Sequence, residues 1–418
     1  MLTWTAVLPF VAAVSARQSA FSELVVHEWG TFTSVQGSDG STLEGLHHEE
    51  EALPPFVHQM DRAAGIELNL ARRKGLARRV AGVTVKMETP VTYFYSPRSL
   101  SVRARVELKH GLLSQWFPAA EAGEESRAES GRLDFREVER GWLDWQIDML
   151  APGLGEGDAP GVENDSPWLA ARIPQANRVR AHVAATEERP AHDETEGFLF
   201  YRGLARFDLP IVATASEGAR LRIVNTSELG DVLTHLFVLH VRDGHGDFQY
   251  VSELAPGAAV EVVQPVSSAS PTIEEMVARL APALERSLAS SGLLEPEAHA
   301  MVETWKRSYF HTEGLRVLYV LPQRFTDAIL PLDVSPAPRE VVRVLVGRLE
   351  CLTPEIEGDV ARAVAEFESE DEAVRHAAWS RIERHARFLE PLLRRVDALA
   401  SDSATHDRIA GWLAQFGA

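Results

Sequence analysis

The chain has 418 residues, 45% hydrophobic and 25% charged, the balance of a globular protein long enough for two or three cores. Its 61 acidic residues outnumber 42 basic ones, a formal charge of −19. That argues against nucleic acid or an anionic membrane surface as the main partner, because both reward clustered lysine and arginine. A single cysteine, Cys351, excludes an internal disulfide and a thiolate metal site.

In chain order, Met1 to Ala16 is apolar and ends in Val14-Ser15-Ala16, which suits a signal peptidase. The stretch is too short for a membrane span, and no other segment approaches one. Residues 1–20 are therefore expected to be a signal-like segment, and the protein to be exported to the periplasm or beyond. From 21 to about 265, short β-branched and aromatic runs alternate with Gly, Pro and Asp turns, the pattern of strands. Val83 to Met87 leads into Val91 to Tyr95, and Leu100 to Leu108 alternates one dry and one wet face. Residues 132–149 read as a hairpin turning near Arg140-Gly141, with Leu143, Trp145, Ile147 and Met149 on one face. The basic run Arg72-Arg73-Lys74 with Arg78 and Arg79 reads as a solvated helical face.

The Gly- and acid-rich stretch 151–167 is expected to separate a first β unit, 21–150, from a second, 151–350. In the second, Leu221 to Asn225 and Leu233 to Val241 are strands, followed by a turn over Asp243 to Asp247 and a strand from Phe248 to Val251. After Pro271 the period changes to that of helices. Thr272-Ile273-Glu274-Glu275 is a capping box, and Glu295 to Tyr309 a second helix with Pro296 in its first turn. This insertion, 271–312, precedes the apolar strand Leu315 to Leu321, with Gly314 expected as the preceding helix's cap. From 351 to 418 helix formers dominate. The expected fold class is α+β: mainly antiparallel β-sandwich units, a helical insertion and a small C-terminal helical domain, which offers a possible protein contact.

Chemistry concentrates in residues 25–58, where His27, Glu28, His47, His48 and His58 crowd together. Imidazoles and carboxylates bind borderline metals and move protons near neutral pH. In a strand His27 and Glu28 point to opposite faces, so one ion would take His27, one of His47 or His48, and His58 or a carboxylate. The ion would be a divalent transition metal: Zn, Fe, Mn or Cu. Glu88, between two apolar runs, joins Glu28 as a candidate general base, with pairing to Lys86 as the structural alternative. His299 and Glu303, four apart on a helix, form a further candidate pair. No helical HExxH, nucleophile elbow, phosphate-binding loop or dinucleotide fingerprint occurs.

The string Val26-His27-Glu28-Trp29-Gly30-Thr31-Phe32-Thr33-Ser34, with Met87-Glu88-Thr89-Pro90, Phe200-Tyr201-Arg202-Gly203 and Glu313-Gly314-Leu315, resembles an uncharacterised group of secreted bacterial proteins. The resemblance spans residues 25 to about 350. It implies export and one functional unit, and it transfers no catalytic residue.

Two functions are expected from these residues. One is an exported metal-dependent enzyme, a hydrolase before an oxidoreductase, in which a metal-bound water attacks a small-molecule or polymer substrate and Glu28 or Glu88 takes its proton. The other is a non-catalytic surface or carbohydrate-binding protein that uses Trp29, Trp142, Trp145 and Trp168 as stacking platforms.

Overall fold

A computed structural model describes residues 23–47, 52–60, 79–127, 132–187, 189–306 and 308–415. The signal-like segment, His48 with Glu49 to Glu51, and the basic run from Arg72 to Arg78 lie outside the described residues.

The fold is α+β, built on a nine-stranded sheet that packs against a six-stranded and a three-stranded one. The first strand, Val25–Gln36, lies inside the large sheet. It runs parallel to Glu340–Cys351 on one side and antiparallel to Val85–Tyr95 on the other. Both faces of this strand are covered, and it is buried from Val26 to Gln36. That explains why its sequence lacks a wet face.

Three apolar clusters divide the interior. Between the sheets, Val26 and Phe32 meet Val102, Trp145 and Ile147 of the six-stranded sheet and Ile211 and Leu221 of the three-stranded one. On the opposite face, Trp29, Tyr93 and Val344 meet Leu280, Leu284, Met301 and Trp305 of the helical insertion. The insertion consists of Ile273–Ser290, opened by the Thr272–Glu275 capping box, and Glu295–Trp305. A third cluster joins Val35, Leu43 and Leu46 to Val360, Leu392 and Val396 of the C-terminal helices, Pro354–Glu366, Glu372–Glu383, Leu389–Leu399 and Ser403–Gln415. Among the described residues no helix is long and apolar enough to cross a membrane.

Several expectations are corrected. The stretch 151–167 does not divide the sheets. Leu199–Ala205, after it, inserts between Val85–Tyr95 and Gly111–Phe117, before it. The hairpin turn expected at Arg140-Gly141 lies inside the strand Val138–Met149, with Gly141 opposite Leu108. A Cβ on Gly141 would meet Leu112 Cα at 2.8 Å, so the glycine serves a close backbone approach. The two runs, 83–87 and 91–95, belong to one strand, Val85–Tyr95, interrupted by a bulge. Gly314 opens the strand Gly314–Val320; the helix before it ends at Trp305. The short helix Gln323–Ile329 and the strand Leu332–Ser335 were not foreseen.

Candidate functional site

Period two sends His27 and Glu28 to opposite faces of the first strand. His27 turns toward the helical insertion and donates from Nδ1 to Glu297 Oε2 at 2.8 Å. Glu297 has no solvent exposure; it also accepts from the Tyr95 hydroxyl at 2.5 Å and from the Leu294 amide at 2.7 Å. Burial, then the Glu297 charge, pushes the Tyr95 hydroxyl far up, so it stays a protonated donor. Glu28 turns between the sheets. Arg343 donates to its Oε2 through Nε at 2.7 Å, Thr92 to its Oε1 at 3.2 Å, and Tyr201 to the same oxygen. Glu28 is thus not positioned to serve a site built on His27.

The other imidazoles go elsewhere. Buried His47 has its Nε2 3.4 Å from Glu390 of the C-terminal helices, and Arg394 holds that carboxylate at 2.7 Å. His58 stacks on Trp116 and Phe117 and donates from Nε2 to Glu194 at 2.8 Å. Burial raises the Glu194 carboxyl, but the His58 hydrogen bond and charge and the Ala119 amide outweigh it and hold it below the usual range. Among the described residues, then, His27, His47 and His58 do not gather round one point. Each is engaged by a different carboxylate, and His27 and His58 find theirs 270 and 136 residues away in sequence. No pattern within residues 25–58 carries that information.

One group of three metal-type side chains does come together among the described residues: Glu285, His299 and Glu303, on the surface of the insertion. His299 addresses Glu285 with Nδ1 at 2.9 Å and Glu303 with Nε2 at 3.9 Å, while Lys306 pairs with Glu303. The two nitrogens face different carboxylates, as in an imidazole clasped between two acids. The expected i, i+4 pair is present; Glu285, from the neighbouring helix, was not legible.

Glu88 sits beside the bulge of Val85–Tyr95. The register slips between Trp29↔Val91 and Thr31↔Glu88, and Thr89 takes φ +49°, left-handed and unusual for a β-branched residue. Gly30 is required here, because a Cβ on it would meet Pro90 Cα at 2.9 Å. Lys86 Nζ lies 3.3 Å from Glu88 Oε1, the pairing considered from sequence, and Tyr309 donates to Oε2 at 3.1 Å.

Glu88 lines one of two small neighbouring cavities between the large sheet and the helices. The apolar one, about 30 Å³ of free space, is walled by the buried side chains of Trp29, Val91, Trp168, Phe198 and Phe200. The rings of Trp168 and Phe200 are 4.7 Å apart, those of Trp168 and Phe198 5.3 Å. The Trp168 indole donates to buried Glu196 at 2.7 Å, which fixes its plane. Ala52, Leu53 and Pro54 form one lip, Ser166 and Pro167 the other. Thr89, Arg202 and Thr304 also line a second, smaller cavity with Glu88, Trp305, Ser308 and Tyr309, with room for about one water molecule. Of the four tryptophans expected as platforms, Trp29 and Trp168 share the cleft. Trp145 is packed between the sheets with its indole N–H on Pro118, and Trp142 lies beneath Arg105 on the outer sheet.

No family model matches this chain, and no curated protein does. Among solved structures it is similar to the yeast delta-COP-I mu-homology domain, at 8% identity over 79% of this chain and 95% of that one, with a TM-score of 0.25. The same domain complexed with the Dsl1 WxWxV peptide is similar at 8% identity over 79% and 96%, with a TM-score of 0.23.

Proposed function

We propose that the protein is an exported, non-catalytic binding protein for a small molecule with a flat apolar face, held in the cleft of Trp29, Trp168, Phe198 and Phe200. One observation carries the reading: four aromatic side chains from three separated segments line one cavity whose wall also carries Thr89, Arg202 and Thr304. Export is supported by the apolar residues Met1 to Ala16 and by the resemblance to secreted bacterial proteins. The test is calorimetric titration with 4-nitrophenol, a flat probe. Binding is expected in the wild type and in Trp142→Ala, and about tenfold weaker in Trp168→Ala, the effect of losing roughly 1.4 kcal/mol of ring contact. Equal affinity in Trp168→Ala would remove the cleft from consideration.

A second reading, the metal-dependent hydrolase, draws on the buried Glu297–His27 pair. Metal-binding imidazoles commonly give their other nitrogen to a carboxylate. Elemental analysis of purified protein decides it. About one equivalent of Zn, Fe, Mn or Cu, lost in His27→Ala, supports this reading; a metal-free chain retires it.

A further inference from the structure

We infer that Glu285, His299 and Glu303 form a binding site for a divalent transition-metal ion, Zn²⁺ first among them, which clamps the two helices of the insertion together. None of the three lines the cavity of Trp29 and Trp168, and the inference does not depend on what that cavity binds.

The three side chains come from two helices. His299 and Glu303 stand one turn apart on Glu295–Trp305, and Glu285 projects from Ile273–Ser290. One ligand atom from each lies within 4.8 Å of the other two. A tetrahedral shell with bonds of about 2.0 Å sets its ligand atoms about 3.3 Å apart. Closing it takes a turn of side chains and no shift of backbone. The side chains have room to turn, since His299 is 63% exposed and Glu285 and Glu303 are 32% and 30% exposed. The ion takes one imidazole nitrogen and one oxygen from each carboxylate, and water fills the remaining position.

Charge gives a second argument. Two carboxylates held this close repel each other, on a chain whose formal charge is already −19. Lys306 offsets one of them by pairing with Glu303. Its partly exposed ammonium is a weak partner, whereas a divalent ion between both carboxylates replaces the repulsion with two bonds. The imidazole sets the kind of ion. Mg²⁺ and Ca²⁺ prefer oxygen shells, and a nitrogen ligand favours Zn²⁺ and its first-row neighbours. The same helices bury Leu284, Met301 and Trp305 against the large sheet, and Glu297 on the second one holds His27. Linking the helices from outside steadies that buried layer.

Calorimetric titration of the metal-stripped full chain with Zn²⁺ tests the site. About one equivalent is expected to bind with roughly micromolar affinity, about tenfold or more weakly in His299→Ala and in Glu285→Gln. Lys306→Met should bind about threefold tighter, because a positive charge beside the ion is gone. His27→Ala should bind as the wild type does, which separates this ion from one held at His27. Amide exchange in residues 285–305 should slow when Zn²⁺ is added to the wild type and stay unchanged in His299→Ala. Equal thermal midpoints of the metal-free proteins show that the variants fold. Three results overturn the inference: no Zn²⁺ is taken up at about 0.1 mM, the affinity survives His299→Ala, or Mg²⁺ competes on equal terms, the mark of an acidic surface alone.

Discussion

Glu28 shows how a residue that looks catalytic in sequence becomes structural in the fold. Its carboxylate is fully buried between the sheets with Arg343, which also reaches Asp327 at 2.9 Å. Removing one partner of such a pair strands the other charge in a poorly solvating interior. Glu28→Ala is therefore expected to lower stability by about 3–5 kcal/mol, measured by urea unfolding. A loss below about 1 kcal/mol would mean that Arg343 finds full compensation in Asp327. That His27 and Glu28 face apart was legible, since it follows from alternation along a strand. Their partners Glu297 and Arg343 were not, because nothing local to residues 25–36 points to them.

Elements were most legible where short-range chemistry makes them. The Thr272–Glu275 capping box closes reciprocally, Thr272 accepting from the Glu275 amide at 3.3 Å and Glu275 from the Thr272 amide at 2.9 Å. Thr272→Ala should destabilise the protein by about 1 kcal/mol, seen as a lower thermal midpoint, because it leaves a helix donor uncapped. An unchanged midpoint would mean that water replaces the cap at no cost. The hairpin joining Leu233–Arg242 to His245–Leu254 was readable, though its turn is tighter than the expected 243–247 and His245 to Asp247 already pair as strand. Asp243 and Gly244 both take positive φ, +50° and +77°, the turn that Asp-Gly favours. Gly141 was misread because a glycine inside a strand and a glycine in a turn look alike until the backbone that approaches it is known.

At the scale of the whole molecule, the C-terminal helices are bound into the sheet by charge as well as by apolar contact. Arg316 and Arg348 lie within 3.1 Å of Glu350, Arg387 approaches it at 3.8 Å, and the Phe388 ring lies under Arg348 and Arg387. Burial pushes the Glu350 carboxyl up, but the charges of Arg316, Arg348 and Arg387 overcome it and hold it at about 2, against an ordinary 4.5. A carboxyl that is a stronger acid in the folded state stabilises the fold above its ordinary value and loses that contribution as pH falls through the folded one. The Glu350 contribution should hold steady down to about pH 5 and be lost from about 4.5 toward 2, so the stability decline over that range is shallower in Glu350→Gln. Urea midpoints across that range would measure it, and equal slopes for both proteins would assign the acid sensitivity elsewhere.

Fold class and the broad order, strands first and helices after Pro271 and at the end, were determined by the sequence itself, since periodicity, capping and turn chemistry act between neighbours. Which side chains meet was decided only by tertiary structure. The first strand pairs with residues 340–351, three imidazoles are claimed by three distant carboxylates, and Trp29 meets Trp168 across one cleft. Contacts of that range depend on how sheets and helices close over one another, and no local pattern encodes that closure.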